Sequence, residues 1–357
     1  MSETASREST PPVSTEARLL SPSAAHWADV LRRTDHDVYH LPEYAGLDAK
    51  VTGGTPAAFW YQEEEHAFLL PLILRGIPDS DLLDAVSPYG YTGPVSDASH
   101  EDTAFWRRAC DQMVETLCAN GVVTTFVRLH PLLPPPLDVL DGVGAVVQHG
   151  ETVSVDLSLS REAMWRETRR DHRNQINRAR RAGVEVVFDD WERLEEWVTI
   201  YHENMQRLGA SQYYFYPCEH LTALHEAVGD RMHLAVALVD GEVVGGSTFF
   251  EYRGIVEGHV ASTRHREGHH ADKLLYDEIR LWAKDRGNAI MHVGGGVGGA
   301  EDLLFSYKAG FSSGRHSFHT WRVVTNGAAY ANLLARRGIP PESVDISGYF
   351  PSYRKLG

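Results

Sequence analysis

A dense cluster of positive charge occupies residues 161–181. This segment holds eight arginines against only three acidic residues. The planar guanidinium group of arginine binds phosphate oxygens through two parallel hydrogen bonds. Arg170, Arg173 and Arg178 are therefore candidate phosphate ligands. The alternative is a solvated helix face with ordinary, weak Glu–Arg pairs, and the sequence does not choose between the two.

A glycine-rich segment, GGGVGG at residues 294–299, is the second candidate site. It contains the GxGxxG spacing of dinucleotide-binding loops. However, the segment does not open a βαβ unit, and no acidic residue about 20 positions later is placed to bind a ribose. We therefore interpret it as a flexible turn that lets the backbone of a substrate approach closely.

Aromatic and cationic side chains in the first half form a candidate acceptor pocket. Tyr89 and Tyr91 lie in the loop SPYGYTGPV, and Arg128 and His130 follow a strand pattern. Tyr214 belongs to a run of tyrosines whose polar hydroxyls suit a binding surface better than a pure core. The alternative is that these aromatic residues only pack their own loops.

Histidine and cysteine spacing gives little support for a metal site. His265 and His269 are four residues apart, with His270 beside them, but no HExxH pattern is present. The three cysteines are odd in number and lack CxxC spacing, which argues against a disulfide scaffold and fits a reducing cytoplasm. We expect no metal and a cytoplasmic protein.

The length and the bulk composition of the chain predict a globular protein with two domains. The chain has 357 residues and a formal net charge of −15, which excludes a general nucleic-acid-coating role but permits a local basic surface. No apolar stretch reaches the about 18–20 residues needed to cross a bilayer. Residues 1–20 are rich in Ser, Thr, Pro and Glu, and we predict a disordered leader there.

The rest of the chain repeats one order of elements. The first half predicts a hairpin around residues 62–65, a helix over 103–119 ending at Asn120-Gly121, and a buried strand. The second half predicts a hairpin at Asp240-Gly241, an amphipathic helix and another strand. This order indicates duplication of one α/β unit, with the boundary near residue 150.

Four sequence blocks between residues 151 and 314 resemble the Fem-type family of the GNAT superfamily. They are RRDHRNQINRARRAGVEV, YHENMQRLGASQYYFYP, LLYDEIRLWAKDRGNAIMHVGGG and LLFSYKAGFSSG. The resemblance implies an α/β (α+β) fold of two tandem GNAT-like lobes, residues 21–150 and 151–357. Each lobe is expected to have a mixed, mostly antiparallel sheet flanked by helices, with a cleft between the lobes.

The resemblance also implies the reaction and its catalytic residues. Fem-type proteins transfer an aminoacyl group from aminoacyl-tRNA to an amine, and an aromatic–Lys pair before Gly-Phe stands at the reacting ester. Tyr307 and Lys308 match this pair, although the aromatic residue is usually Phe. Lys308 would stabilise the oxyanion, while Tyr307 would hold the ammonium group by its ring face or donate its hydroxyl. The alternative is a surface lysine on a helix.

The expected acceptor is an amine of a small molecule or peptide, of the natural-product or peptidoglycan-precursor type. The long helical tRNA-arm insertions of some Fem-type members are absent. Aminoacyl-tRNA is then a co-substrate, and no bound cofactor is expected. Acetyl-CoA is second, because the loop RHREGHHADKLL has the single Gly268 where CoA-dependent GNAT enzymes carry more glycine. A non-catalytic GNAT-fold binding module is the third possibility.

Overall fold

The computed structural model describes residues 15–264, 270–340 and 344–355. Within these residues, one thirteen-stranded sheet carries α-helices on its faces. The strands are β1 (Thr15–Leu20), β2 (Thr55–Glu63), β3 (His66–Gly76), β4 (Leu83–Val86), β5 (Val95–Ser96), β6 (Val122–Arg128), β7 (Ala145–Asp156), β8 (Glu185–Phe188), β9 (Met232–Val239), β10 (Glu242–Tyr252), β11 (Ile255–Thr263), β12 (Ile290–Gly294) and β13 (Gly314–Val324).

The helices follow the same chain order. They are α1 (Ala25–Arg33), α2 (Pro42–Thr52), α3 (Thr103–Ala119), α4 (Leu137–Asp141), α5 (Arg161–Glu167), α6 (Arg170–Arg181), α7 (Leu194–Arg207), α8 (Cys218–Val228), α9 (Ala271–Asp285), α10 (Leu303–Lys308) and α11 (Gly327–Arg336). None of the helices in the described residues is both long enough and apolar enough to cross a membrane.

The strand order confirms two tandem, mostly antiparallel units. Along the sheet the order is β1-β2-β3-β4-β6-β13-β7-β12-β11-β10-β9-β8, and β5 pairs with β3. Each half has antiparallel strands that end in one parallel pair, β4–β6 or β11–β12. A long helix, α3 or α9, connects the strands of each parallel pair. The two halves of the sheet therefore have the same topology in mirror order along the sheet.

The middle of the sheet joins the halves by an exchange of strands. β7 follows the first half in sequence but pairs with β12, whereas β13 follows the second half and pairs with β6. β7 and β13 pair with each other from Gly314 to Arg322. The predicted boundary between 21–150 and 151–357 does not fall between two elements, because residue 150 lies inside β7. The two ranges are also not separate in space, because β13 packs in the core of the first half.

Local sequence signals explain the predicted elements that the structure confirms. The side chain of Asp102 accepts a hydrogen bond from the amide of Phe105 at the start of α3. α3 ends where Gly121 takes a φ of 76°. The hairpin between β9 and β10 turns at Asp240 and Gly241, with φ values of 51° and 80°, as the primed hairpin turns require.

Two predictions about local structure need correction. Residues 15–20, assigned to the leader 1–20, form β1 and pair with β2, because alternate side chains of this segment reach the edge of the first core. The arginine-rich segment, for which one alternative was a single solvated helix face, forms two helices, α5 and α6. The break is at Thr168, which is buried and whose hydroxyl accepts a hydrogen bond of 2.8 Å from Arg280.

Some sequence predictions fall outside the described residues. These are most of the leader, residues 1–14, and the segment 265–269 with His265, Gly268 and His269. His270, the residue before α9, is described, and its imidazole lies 3.3 Å from the guanidinium of Arg178.

The hydrophobic core continues from one half into the other. Trp27 of α1 and Tyr44 of α2 belong to the same buried cluster as Trp197 of α7 and Leu221 of α8. A second cluster packs α6 and α9 on the β7–β12 face of the sheet. Because the first cluster includes residues from both halves, burial of apolar surface fixes their relative position.

Candidate active site

A cavity of about 360 Å³ lies where neighbouring strands separate near the middle of the sheet. β11 and β12 are paired only from Ile255–Glu257 to Ile290–His292 and then diverge. β4 and β6 stop pairing at Val86 and Phe126. The ends of both parallel pairs, together with β7 and β13, supply the cavity walls. The duplicated topology therefore brings the open ends of its two halves to one site.

Lys308 places a cation in the wall of this cavity. Asp302 accepts a hydrogen bond from the amide of Phe305 and so begins α10, whose last residue is Lys308. Nζ of Lys308 donates a hydrogen bond of 2.7 Å to the carbonyl of Gly295. Desolvation lowers the pKa of Lys308 to about 8, an effect that Asp302 and Glu257 partly oppose. The side chain is therefore mainly an ammonium ion at neutral pH.

The glycine-rich segment 294–299 forms part of the same wall. Gly294 has a φ of 78°, and a Cβ atom on it would lie 3.2 Å from Nζ of Lys308 and 3.4 Å from the hydroxyl of Tyr91. A Cβ atom on Gly150 would lie 2.0 Å from the carbonyl oxygen of Gly299. A side chain on Gly150 would push the glycine-rich segment away from β7, and a side chain on Gly294 would fill the space beside Lys308.

Tyr307 does not reach the cavity. Its ring packs with His172, Tyr276 and Phe311, and Nζ of Lys273 lies 4.9 Å from the ring centroid. Consecutive residues of an α-helix point about 100° apart, so Tyr307 faces α6 and α9 when Lys308 faces the cavity. The structure therefore corrects the expectation that Tyr307 acts beside Lys308 on the substrate, and gives it a place in the packing of α10.

Four of the predicted substrate-binding residues do line the cavity. Tyr89 and Tyr91 follow β4, Arg128 ends β6, and Tyr214 lies between α7 and α8. Tyr214 is 37% exposed. The guanidinium of Arg128 lies over the rings of Tyr89 and Phe126, with its central carbon 5.6 and 5.3 Å from the two centroids.

His130 lies behind the cavity wall rather than in it. The side chain is buried, and its Nδ1 accepts a hydrogen bond from the amide of Leu132 at 3.1 Å. Its Nε2 lies 3.2 Å from Oδ2 of Asp37. Both ring nitrogens are therefore used inside the protein, which corrects the expectation that His130 binds the acceptor.

A buried ionisable network surrounds His130, and sequence analysis did not find it. Nδ1 of His292 lies 2.8 Å from Oε2 of Glu257, and Oε1 of Glu257 lies 3.9 Å from Nε2 of His130. Burial raises the pKa of Glu257 well above its usual value, and the nearby Asp37 adds to the shift. Burial lowers the pKa of His292 to about 3. The available signal was a charged or imidazole group within an otherwise apolar strand, IVEGHV or AIMHV.

Asp37, His130 and Glu257 have the residue types of a metal site, with ligand atoms within 4.8 Å of one another. Their hydrogen bonds oppose that function. Because Leu132 donates to Nδ1 of His130, the neutral ring carries its proton on Nε2 and donates it to Asp37. A metal would need the lone pair of that nitrogen. The arrangement of Asp37, His130 and Glu257 therefore favours a buried hydrogen-bond network over a metal site.

The arginines proposed to bind phosphate lie on α6, outside the cavity lining. Arg170 and Arg178 are exposed, and Arg173 is half-buried and donates a hydrogen bond of 3.3 Å to the carbonyl of Trp165. The structure therefore does not bring these three residues together with Lys308. Any role in binding phosphate would be on the outer surface of the second half.

Comparison with known proteins supports the fold. Residues 166–308 match the acetyltransferase (GNAT) domain family. The structure is similar to that of FemX, with 11% identity, a TM-score of 0.70, and coverage of 89% of this chain and 99% of that chain. No curated protein matches the sequence significantly.

Two further structures share the architecture. L-PGS from Bacillus licheniformis has 14% identity and a TM-score of 0.56, with coverage of 90% of this chain and 98% of that chain. The C-terminal domain of a putative lysylphosphatidylglycerol synthetase from Agrobacterium fabrum has 14% identity and a TM-score of 0.52, covering 87% and 94%. These comparisons confirm the Fem-type, GNAT-like fold that the sequence blocks implied.

Proposed function

We propose that this chain transfers an aminoacyl group from aminoacyl-tRNA to the amine of a small molecule or peptide, forming an amide. The observation that carries the proposal is Lys308, an ammonium group in the wall of a cavity at the centre of a FemX-like fold. A cation at this kind of position favours aminoacyl transfer, because the ester carbonyl oxygen becomes negatively charged as the amine attacks.

The chemistry requires positioning more than a strong base. The neutral amine nitrogen bonds to the ester carbonyl carbon, the bond from that carbon to the ribose oxygen then breaks, and the amine proton leaves with that oxygen. Lys308 has three N–H donors and gives one to Gly295. Its other donors are available to stabilise the oxyanion. The aromatic walls from Tyr89, Tyr91 and Tyr214 would hold the reactants in contact.

The tRNA would meet the protein through α6. Arg170 and Arg178 are exposed on this helix and can approach phosphate groups, with Arg173 beside them. Binding through such contacts weakens as salt rises. In this proposal α6 holds the acceptor stem while the esterified 3′ end enters the cavity.

The first test is transfer from a pool of radiolabelled aminoacyl-tRNAs to candidate amines, with acetyl-CoA in a parallel reaction. We expect RNase-sensitive formation of a labelled amide. Lys308→Ala should lower the transfer rate about 10²- to 10³-fold with folding intact, as loss of one oxyanion donor does. Lys50→Ala, an exposed lysine of α2, is the matched control and should keep the rate. Near-normal transfer by Lys308→Ala would refute the role of this lysine.

A CoA-dependent N-acyltransferase is the second candidate function. The match of residues 166–308 to the acetyltransferase (GNAT) domain favours it. It predicts transfer from acetyl-CoA that resists RNase, together with thermal stabilisation by acetyl-CoA. That result, without transfer from any aminoacyl-tRNA, would replace the first proposal.

A further inference from the structure

The guanidinium of Arg128 is a cavity cation that the proposed chemistry leaves unused. It is half-buried against the rings of Tyr89 and Phe126. Among the described residues, no hydrogen bond or ion pair involves this guanidinium, and its contacts are with the two rings. Asp48 accepts a hydrogen bond of 2.8 Å from the amide of Tyr89 and forms no ion pair with Arg128.

The fully buried arginines of the same protein, unlike Arg128, donate hydrogen bonds to acceptors within the chain. Arg280 donates a hydrogen bond of 2.9 Å to Asp277. Arg322 donates hydrogen bonds of 2.6 and 2.5 Å to the carbonyls of Ile346 and Gly348. An arginine removed from water without partners destabilises the folded state. The half-buried guanidinium of Arg128 has no such acceptor among the described residues, so its N–H groups can bind acceptor atoms that a ligand supplies.

The residue paired with Arg128 on the next strand has its hydroxyl engaged by other side chains. Arg128 pairs with Thr320 between β6 and β13. The hydroxyl of Thr320 is already held by Nε2 of His149 at 2.8 Å and Nε of Arg322 at 3.3 Å. Aromatic rings over the guanidinium restrict its plane and leave its N–H edge for a planar or tetrahedral anion.

We infer that the acceptor amine carries an anionic oxygen group, a carboxylate or a phosphate, which Arg128 binds beside Tyr89 and Phe126. This inference rests on the proposed function, in which Lys308 occupies the other cationic position of the same cavity and binds the donor carbonyl. The two cations then divide the reactants: Arg128 holds the anionic end of the acceptor, and its amine lies towards Lys308.

Calorimetric titration of the full chain with three matched pairs of probes tests this division. The pairs are β-alanine with β-alaninamide, O-phosphoethanolamine with ethanolamine, and AMP with adenosine. We expect the anionic member of one of the first two pairs to bind at least about tenfold more tightly than its neutral partner, as a charged hydrogen bond provides. The first pair reports a carboxylate, the second a phosphate, and the third a phosphate of the donor.

Arg128→Met should abolish the preference, and Arg128→Lys should retain part of it because the charge remains. Arg337→Met, an exposed arginine that does not line the cavity, is the matched control and should keep it. Circular dichroism shows whether each variant is folded, and the retained preference of the Lys variant provides a second check.

Three results would overturn the inference: equal binding within both acceptor pairs, a preference that survives Arg128→Met, or a preference confined to AMP, which would place the anion on the donor. An acceptor preference that depends on Arg128, without transfer from any aminoacyl-tRNA, would support the anion site while refuting the proposed donor. The two proposals can therefore fail separately.

Discussion

At the scale of single residues, the environment of a side chain decides its chemistry. Lys308 is partly removed from water, so its pKa falls to about 8, while its hydrogen bond to Gly295 fixes the position of the ammonium group. Tyr307, one residue earlier, packs in the core instead. An adjacent pair in the sequence thus becomes one cavity residue and one packing residue.

The lowered pKa of Lys308 predicts how transfer depends on pH. Lys308 is cationic below about pH 8 and loses its charge as the pH rises through that value. If the charge stabilises the oxyanion, kcat/KM should fall on this alkaline side. Lys308→Arg keeps its charge throughout, so its maximal rate should be lower but the alkaline fall should disappear. Rates measured between about pH 6.5 and 9.5 check this. The same alkaline fall in both proteins would contradict the assignment.

The sequence identified candidate residues by their type but could not give the directions of their side chains. Tyr89, Tyr91, Arg128 and Tyr214 line the cavity, and their role in binding substrate stays a prediction. His130 does not line the cavity, because Leu132 and Asp37 engage both of its ring nitrogens. Such partners are distant in sequence or depend on a local turn, and residue type alone does not reveal them.

At the scale of elements, the glycine-rich loop after β12 is the part that positions the site. Its glycines wall the cavity, and the carbonyl of Gly295 holds Lys308. The sequence predicted a turn that permits close approach. The structure shows which groups approach the backbone of this turn. Nζ of Lys308 and the hydroxyl of Tyr91 lie where a side chain on Gly294 would stand.

Gly294→Ala should impair transfer more than it impairs stability. The φ of 78° costs an alanine about 1 kcal/mol, and the methyl group would sit 3.2 Å from Nζ of Lys308. Gly241→Ala is the matched control, since its φ is 80° but nothing lies within 4 Å of the new Cβ. Chemical denaturation should show similar destabilisation in both variants, while transfer should fall only in Gly294→Ala. Equal transfer in the two variants would show that the loop has no special role.

Elements were predictable where local signals are strong. α3 has the predicted bounds, Thr103–Ala119, because a side-chain cap and a terminal glycine mark its ends. The break between α5 and α6 was not predictable. It depends on Thr168 binding Arg280, which is 112 residues away in sequence.

At the scale of the whole molecule, exchanged strands make the two halves depend on each other. β13 comes late in the chain but contributes Trp321 and Val323 to the core of the first half. α11 and Tyr353 pack on the first half as well, near Val123. Because the cavity lies among β6, β13, β7 and β12, neither half holds the site without the exchanged strands.

Trp321→Ala should therefore destabilise the protein, although Trp321 lies far in sequence from the other residues of the first-half core in which it packs. Trp321 is fully buried and its indole N–H donates a hydrogen bond of 2.9 Å to the carbonyl of Leu140. Loss of such a side chain costs about 3–5 kcal/mol. The free energy of unfolding, measured by denaturant titration, should fall by this amount. Tyr349→Ala, an exposed aromatic residue as control, should change it by less than about 0.5 kcal/mol.

The sequence by itself determined the repeated order of α/β elements, the positions of the elements with strong local signals, the Fem-type resemblance and a cationic residue in the fourth block. These follow from local periodicity, caps, turns and short blocks, each of which is read within a few residues. Only the tertiary structure decided the strand exchange, the buried Glu257–His292 pair and the place of Arg128 against the ring of Tyr89. These depend on partners far apart in the chain, which come together only when apolar burial fixes the sheet and its two halves.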